Sequence, residues 1–262
     1  MKRFAPTLAS LLAAFSTHAA DWVDEPNWQR HFDERRVPGT FVLYEPGAHR
    51  YRACNESRAR VGYLPASTFK IANALIALET GALADENELF RWDGKPKLRA
   101  AWERDHTLAT GMKESVVWMF QRIARRIGKA RMKEWLARME YGNADTGGGI
   151  DHFWLQGSLR TSAVEQVDFL RRLEEGRLPV GARARRLVRE ALFHERVGDA
   201  VIRAKTGTVA LRRDAVAWWV GWVERDGRPV AYFALNYRPR PGLPHAARIE
   251  IGKAILREAG LL

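Results

Sequence analysis

The chain has 262 residues, 46% of them hydrophobic and 28% charged, and its 43 Lys and Arg outnumber its 31 Asp and Glu for a formal charge of +12. That length supplies a substantial buried core, and the apolar fraction excludes an intrinsically disordered chain. A single cysteine, Cys54, excludes an internal disulfide, so stability must come from core burial.

In chain order, the first segment reads as a secretion signal. Met1, Lys2 and Arg3 give a positive start, residues 4–15 are mostly apolar, and small residues precede a cleavage point after Ala19 or Ala20. The mature protein is therefore expected to be exported to a periplasm and free of the membrane, because no other stretch is apolar for long enough to cross a bilayer. Residues 39–44 read as a strand, residues 45–48 turn, and residues 49–54 return as its hairpin partner, with Cys54 a small packed residue. A helix is expected from near Ser67 to Gly81, and another over residues 114–127, ending at Gly128. Further helices fall at 130–139, from a capping box at Ser162 and Glu165 toward Glu175, and at 182–193. Residues 200–206, 215–224 and 229–236 read as strands, with Asp226-Gly227 turning between the last two, and a final helix covers 247–259.

Strands at both ends with helices between them predict an α+β fold. One antiparallel sheet joins the N-terminal hairpin to the C-terminal strands, and the middle helices, about 67–195, form an inserted lobe. The domain reading is a signal over 1–20 and a single catalytic unit over 21–262.

The positive charge raises nucleic-acid binding as an option. The arginines, such as Arg122, Arg125, Arg126, Arg171, Arg172, Arg183, Arg185 and Arg186, are instead scattered over helical stretches beside apolar stripes, with no zinc-finger spacing and no interleaved aromatic motif. A solvated arginine-rich surface is the better reading, and no nucleic-acid partner is expected.

The chemistry concentrates in four short motifs. Ser67-Thr68-Phe69-Lys70 is an S-x-x-K at a helix start, where residues three apart are neighbours and Lys70 can reach the Ser67 hydroxyl. A lysine acts as base only when neutral or modified, and burial or nearby positive charge lowers its pKa. Phe69, Ile71 and Trp154 offer an apolar setting. Alone the motif is weak, since a chain of this length holds about one by chance. Ser115-Val116-Val117 supplies a hydroxyl to pass a proton to a leaving nitrogen. Tyr141-Gly142-Asn143 by itself would be only a turn. Lys205-Thr206-Gly207, on a strand, offers donors for an anionic group and a glycine that lets a ligand approach the backbone. In this order the motifs are far more specific than any one of them, because S-x-x-K with K-T-G is the signature of penicillin-recognising enzymes.

On these residues the chain resembles the class D, oxacillinase-type serine β-lactamases over nearly its whole mature length. PASTFK at 65–70, SVVWMFQ at 115–121, YGN at 141–143, FWLQGSL at 153–159, KTG at 205–207, WWVGW at 218–222 and the helix at 248–256 carry the resemblance. It implies a serine β-lactamase fold that hydrolyses penicillin-type antibiotics. Ser67 would be acylated, and Lys70, carbamylated by carbon dioxide or bicarbonate, would be the base, with no metal and no other cofactor. Trp154 would hold the carbamate and Ser115 would relay the proton. Backbone N–H groups of Ser67 and Thr208 would form the oxyanion hole. Lys205, Thr206, Gly207 and Arg248 would gather the substrate carboxylate, and Val117 and Leu155 would gate water. The partner is a small-molecule β-lactam, and the protein is a monomer or homodimer. Residues 208–214 match no diagnostic class D version, which leaves the substrate range open, and Arg248 is placed by helix-start similarity. The alternative is a non-hydrolysing β-lactam sensor acylated at the same serine, disfavoured by the lack of a membrane tether. A cell-wall peptidase is disfavoured by YGN and FWLQGS.

Overall fold

A computed structural model describes residues 20–210 and 215–262. Residues 1–19 of the segment read as a secretion signal, and residues 211–214, lie outside the described residues. The elements run β1 (Asp21–Asp24), α1 (Arg30–Asp33), β2 (Gly39–Glu45), β3 (Arg50–Cys54), α2 (Glu56–Ala59), a 3-10 turn (Ala66–Phe69) and α3 (Lys70–Glu79). They continue with α4 (Leu108–Lys113), α5 (Val117–Ile127), α6 (Lys129–Arg138), α7 (Ala163–Glu174) and α8 (Ala182–Ala191). β4 (Phe193–Val197), β5 (Ala200–Val209), β6 (Val216–Arg225), β7 (Arg228–Tyr237) and α9 (Ala247–Glu258) complete the order.

The seven strands form one sheet in the order β1-β3-β2-β7-β6-β5-β4. The early hairpin joins the late strands through β2 and β7, which pair antiparallel from Gly39 opposite Tyr237 to Tyr44 opposite Tyr232. The sheet is α+β as expected but not purely antiparallel. β1, which lacks an apolar alternation to announce it, pairs parallel with β3. The turn between β6 and β7 has Asp226 and Gly227 both at positive φ, 51° and 73°, the geometry a two-residue hairpin demands. Likewise the helix expected over 182–193 stops at Ala191, because Phe193 opens the edge strand β4.

Period-two alternation divides the core between the two faces of the sheet. Val42, Tyr44, Trp218, Val220, Trp222, Tyr232 and Ala234 pack with α3 and α5–α8 in the larger cluster. Phe41, Leu43, Trp219, Phe233 and Leu235 pack with α9 on the other face. Gly252 lets α9 lie directly on the sheet: a Cβ there would stand 2.3 Å from the Trp219 ring. We expect Gly252→Ala to lower Tm despite its gain in helix propensity of about 1 kcal/mol. Overpacking against a ring that cannot move costs roughly 1–3 kcal/mol, and thermal denaturation reads the difference.

Candidate active site

The 3-10 turn that carries Ser67 is held by several elements at once. The Ala66 N–H donates to the Trp154 carbonyl (3.0 Å), and the Trp218 indole donates to the Leu64 carbonyl (2.9 Å). Thr68 donates its hydroxyl to the Pro65 carbonyl (2.7 Å) and accepts from the Gln166 amide of α7 (2.7 Å), with both side chains buried. β5 presses on the turn from the far side. A Cβ on Gly207 would stand 2.9 Å from the Pro65 oxygen and 3.2 Å from the Ser67 nitrogen, so glycine is required for this approach. Ala66, directly before Ser67, has φ +50°, a costly conformation for a non-glycine residue that persists only where surroundings impose it. The residue thus fixed, Ser67, is half-buried.

Lys70 follows on the first turn of α3 and has no exposed surface. Its Nζ donates to Ser67 Oγ at 2.7 Å and lies 5.4 Å from the centre of the Phe120 ring. Burial, and then the charge of Lys205, hold its pKa well below the usual lysine value. Trp154 stacks obliquely on Phe69, ring centres 5.1 Å apart, and is fully buried. Its indole N–H has no partner. A buried donor left unpaired costs about 1–3 kcal/mol, so its presence points to an acceptor that completes the site.

A second hydroxyl–amine pair faces this one. Lys205 Nζ donates to Ser115 Oγ at 3.0 Å. Burial, then the charges of Arg248 and Arg99, bring the Lys205 pKa down to about 7. Ser115 does not start a helix as expected. It sits at φ +57° in the link between α4 and α5, and α5 begins at Val117. The tight link, with Ser115 N bonded to the Met112 carbonyl and Val116 N to the Gly111 carbonyl, turns the hydroxyl toward β5. Val117 and Leu155, both half-buried, flank these residues as neighbours of Val116 and Trp154.

Arg248, at the start of α9, is buried and bound to protein oxygens. Its guanidinium donates to the Gly207 carbonyl (2.7 Å), Thr208 Oγ1 (2.6 Å) and the His245 carbonyl (2.8 Å), and meets His245 Nδ1 at 2.9 Å. It fastens α9 to the strand that bears Lys205, Thr206 and Thr208. Sequence reasoning missed Gln166, Thr68 and Phe120. Gln166 was legible only as one residue of an amphipathic helix, with nothing local to mark its partner on the catalytic turn.

Residues 39–259 match the family described as penicillin binding protein transpeptidase domain. The chain is 43% identical to Beta-lactamase OXA-48 of Klebsiella pneumoniae over 240 residues, covering 92% of this chain and 89% of that one. The chain belongs to the class D β-lactamases. Beta-lactamase OXA-10 of Pseudomonas aeruginosa is 41% identical over 239 residues, covering 90% of each chain. The crystal structure of the class D β-lactamase YbXI from Nostoc superposes with a TM-score of 0.87 at 35% identity, covering 91% of this chain and all of that one. The class D β-lactamase BAT-2 delta mutant superposes at 0.82 with 37% identity, covering 90% and 96%. As a class D β-lactamase the protein is a β-lactam hydrolase. Among the described residues no helix is long and apolar enough to cross a membrane.

For this β-lactamase, Gln166→Leu should lower stability by about 1 kcal/mol through the lost hydrogen bond. It should also lower kcat more than it raises KM, since Gln166 touches the turn that carries Ser67 and not the substrate cleft. Steady-state kinetics beside a denaturation curve separates the two effects.

Proposed function

We propose that this class D β-lactamase opens penicillin-type antibiotics by covalent catalysis at Ser67. The observation that carries the reading is the buried Lys70 amine, 2.7 Å from Ser67 Oγ and held toward its neutral form. A group poised to accept the Ser67 proton makes that oxygen a nucleophile. Ser67 Oγ bonds to the lactam carbonyl carbon and its proton passes to the base at Lys70. The carbonyl oxygen takes up negative charge between the backbone N–H groups of Ser67 and Thr208. The carbon–nitrogen bond then breaks, and Ser115 hands the ring nitrogen a proton drawn from Lys205. Lys205, with its pKa near 7, is matched to give and regain that proton at neutral pH. The proton held at Lys70 then passes by way of Ser115 to Lys205, which restores both groups. A water gives its proton to the restored base and attacks the ester carbonyl, the bond to Ser67 Oγ breaks, that oxygen takes the proton back, and the opened acid leaves.

Lys205, Thr206 and Gly207 line the path for the substrate carboxylate, with Arg248 adding charge from behind the strand. A carbamate on Lys70, formed from carbon dioxide, would supply a carboxylate-like base and an acceptor for the Trp154 indole. The residues present fit that group: a neutral amine is the form that combines with carbon dioxide, and the unpaired buried indole supplies the donor. Val117 and Leu155 govern water access to it. The first 20 residues direct export to the periplasm and are removed there.

The test is nitrocefin turnover with intact mass of the acid-quenched protein. Sustained colour, with a transient adduct of one whole β-lactam mapped to Ser67, supports the reading. A burst of one equivalent with no further turnover would make the protein a sensor.

A further inference from the structure

The segment before α4 sets a cation near the Ser115–Lys205 pair that makes no bond in the reaction proposed above. Arg99 is exposed, and its guanidinium stands over the Trp102 ring, 5.8 Å from the ring centre. Arg99 Nη1 donates to the Glu114 carbonyl at 3.3 Å, and the Trp102 indole donates to the same oxygen at 2.9 Å. Glu114 is the residue before Ser115, whose Oγ meets Lys205 Nζ at 3.0 Å. Arg99 is therefore tied to the rim on the Ser115–Lys205 side. Its charge reaches Lys205, which it helps to hold toward neutrality. Other arginines on this lobe are neutralised by acids, as Arg125 is by Asp151 and Arg126 by Glu88. Among the described residues no carboxylate pairs with Arg99, whose hydrogen bond goes to a backbone oxygen. Beside it Leu98 is 88% exposed.

A bound β-lactam has a defined orientation here, and the inference rests on the reaction proposed above. Ser115 faces the ring nitrogen and Lys205 the carboxylate. Both groups belong to the fused-ring half of the molecule, so Arg99 overlooks that half and not the acyl side chain.

We propose that Arg99 is a specificity-determining residue that takes a second anionic group on the fused-ring half of a β-lactam, beyond the carboxylate all substrates share. An exposed cation of this kind acts mostly through long-range attraction, which salt screens. The effect is therefore modest, about threefold to fivefold in kcat/KM, as for an exposed ion pair.

The experiment uses two cephalosporins with the same acyl side chain, one with a neutral and one with a carboxylate- or sulfonate-bearing substituent on the six-membered ring. A second pair, benzylpenicillin and its carboxybenzyl analogue, places the extra charge on the acyl side. In the wild type, raising salt from 20 to 500 mM should reduce kcat/KM for the anionic cephalosporin relative to the neutral one. Arg99→Gln should lower the same ratio by about threefold to fivefold at low salt, Arg99→Lys should retain most of it, and the penicillin ratio should not move. An unchanged cephalosporin ratio in Arg99→Gln overturns the proposal. So does an equal fall for both members, which would assign Arg99 to support of the Ser115 link. A shift in the penicillin pair instead would place the charge on the wrong half and also overturn it. Mapping the adduct to Ser67 in each variant separates failure of this inference from failure of the covalent mechanism.

Discussion

Ser67→Ala will reduce β-lactam turnover by on the order of 10,000-fold or more while leaving the fold intact. Removing one member of a catalytic unit costs nearly as much as removing all of it, because no other group can form the covalent intermediate. Among the described residues of this site Ser115 supplies the only other hydroxyl bonded to a lysine amine, and it faces Lys205 in place of Lys70. The turn keeps its shape in the variant. Its supports are the Ala66–Trp154 and Thr68–Pro65 bonds and the close approach of Gly207, none of which involves Ser67 Oγ. Stopped-flow acylation, equilibrium binding and a thermal melt together check this. Retained binding and Tm with no adduct is the expected result, and residual turnover within a hundredfold of the wild type would remove Ser67 from the mechanism.

The second large effect concerns the acid side of the pH profile and the Trp154 indole. Trp154→Phe keeps a ring packed on Phe69 but deletes the unpaired N–H. If that donor holds a carbamate, its loss should lower kcat about tenfold to hundredfold in carbon dioxide-depleted buffer, with recovery on adding bicarbonate. Stability should hold or rise, because the apo protein no longer buries an unpaired donor. The pH dependence has a fixed sign. Lys70 binds its proton less readily in the fold than in the unfolded chain. Below its folded pKa the amine is an ammonium and cannot combine with carbon dioxide, so activity falls as pH drops and returns as pH rises. The same shift makes the unfolded chain bind more protons than the folded one between the folded pKa and the ordinary lysine value, so burial of Lys70 costs stability that is recovered as pH rises through that window. Activity of wild type and variant measured from pH 5.5 to 8.5, with and without bicarbonate, decides the matter. A bicarbonate-insensitive profile in both would leave Lys70 as an unmodified amine base.

Both experiments turn on residues that were visible in very different degrees. Ser67 and Lys70 are three apart on one helix, and helical spacing alone makes them neighbours. The hairpin over residues 39–54, the capping box of Ser162 and Glu165 and the tight turn at Asp226-Gly227 were equally legible, because each is settled by contacts within a few residues. The strands β6 and β7 were legible as strands, and the order of motifs pointed to the family.

Contacts between distant segments were not legible in this way. The parallel pairing of β1 with β3, the left-handed backbone of Ser115 and the Gln166–Thr68 bond each join or adjust segments whose own periodicity carries no record of the partner. Even the character of Lys70 belongs to the tertiary level. Its position followed from the sequence, but its low pKa exists because the fold buries it completely, with the Phe120 ring of α5 5.4 Å away, and β5 brings Lys205 near. Arg248 makes the same point, since only the packing of α9 on β5 decides that its guanidinium binds the Gly207 carbonyl. Local spacing selects which groups can meet, whereas desolvation and long-range charge, which set their chemistry, arise only when remote segments close around them.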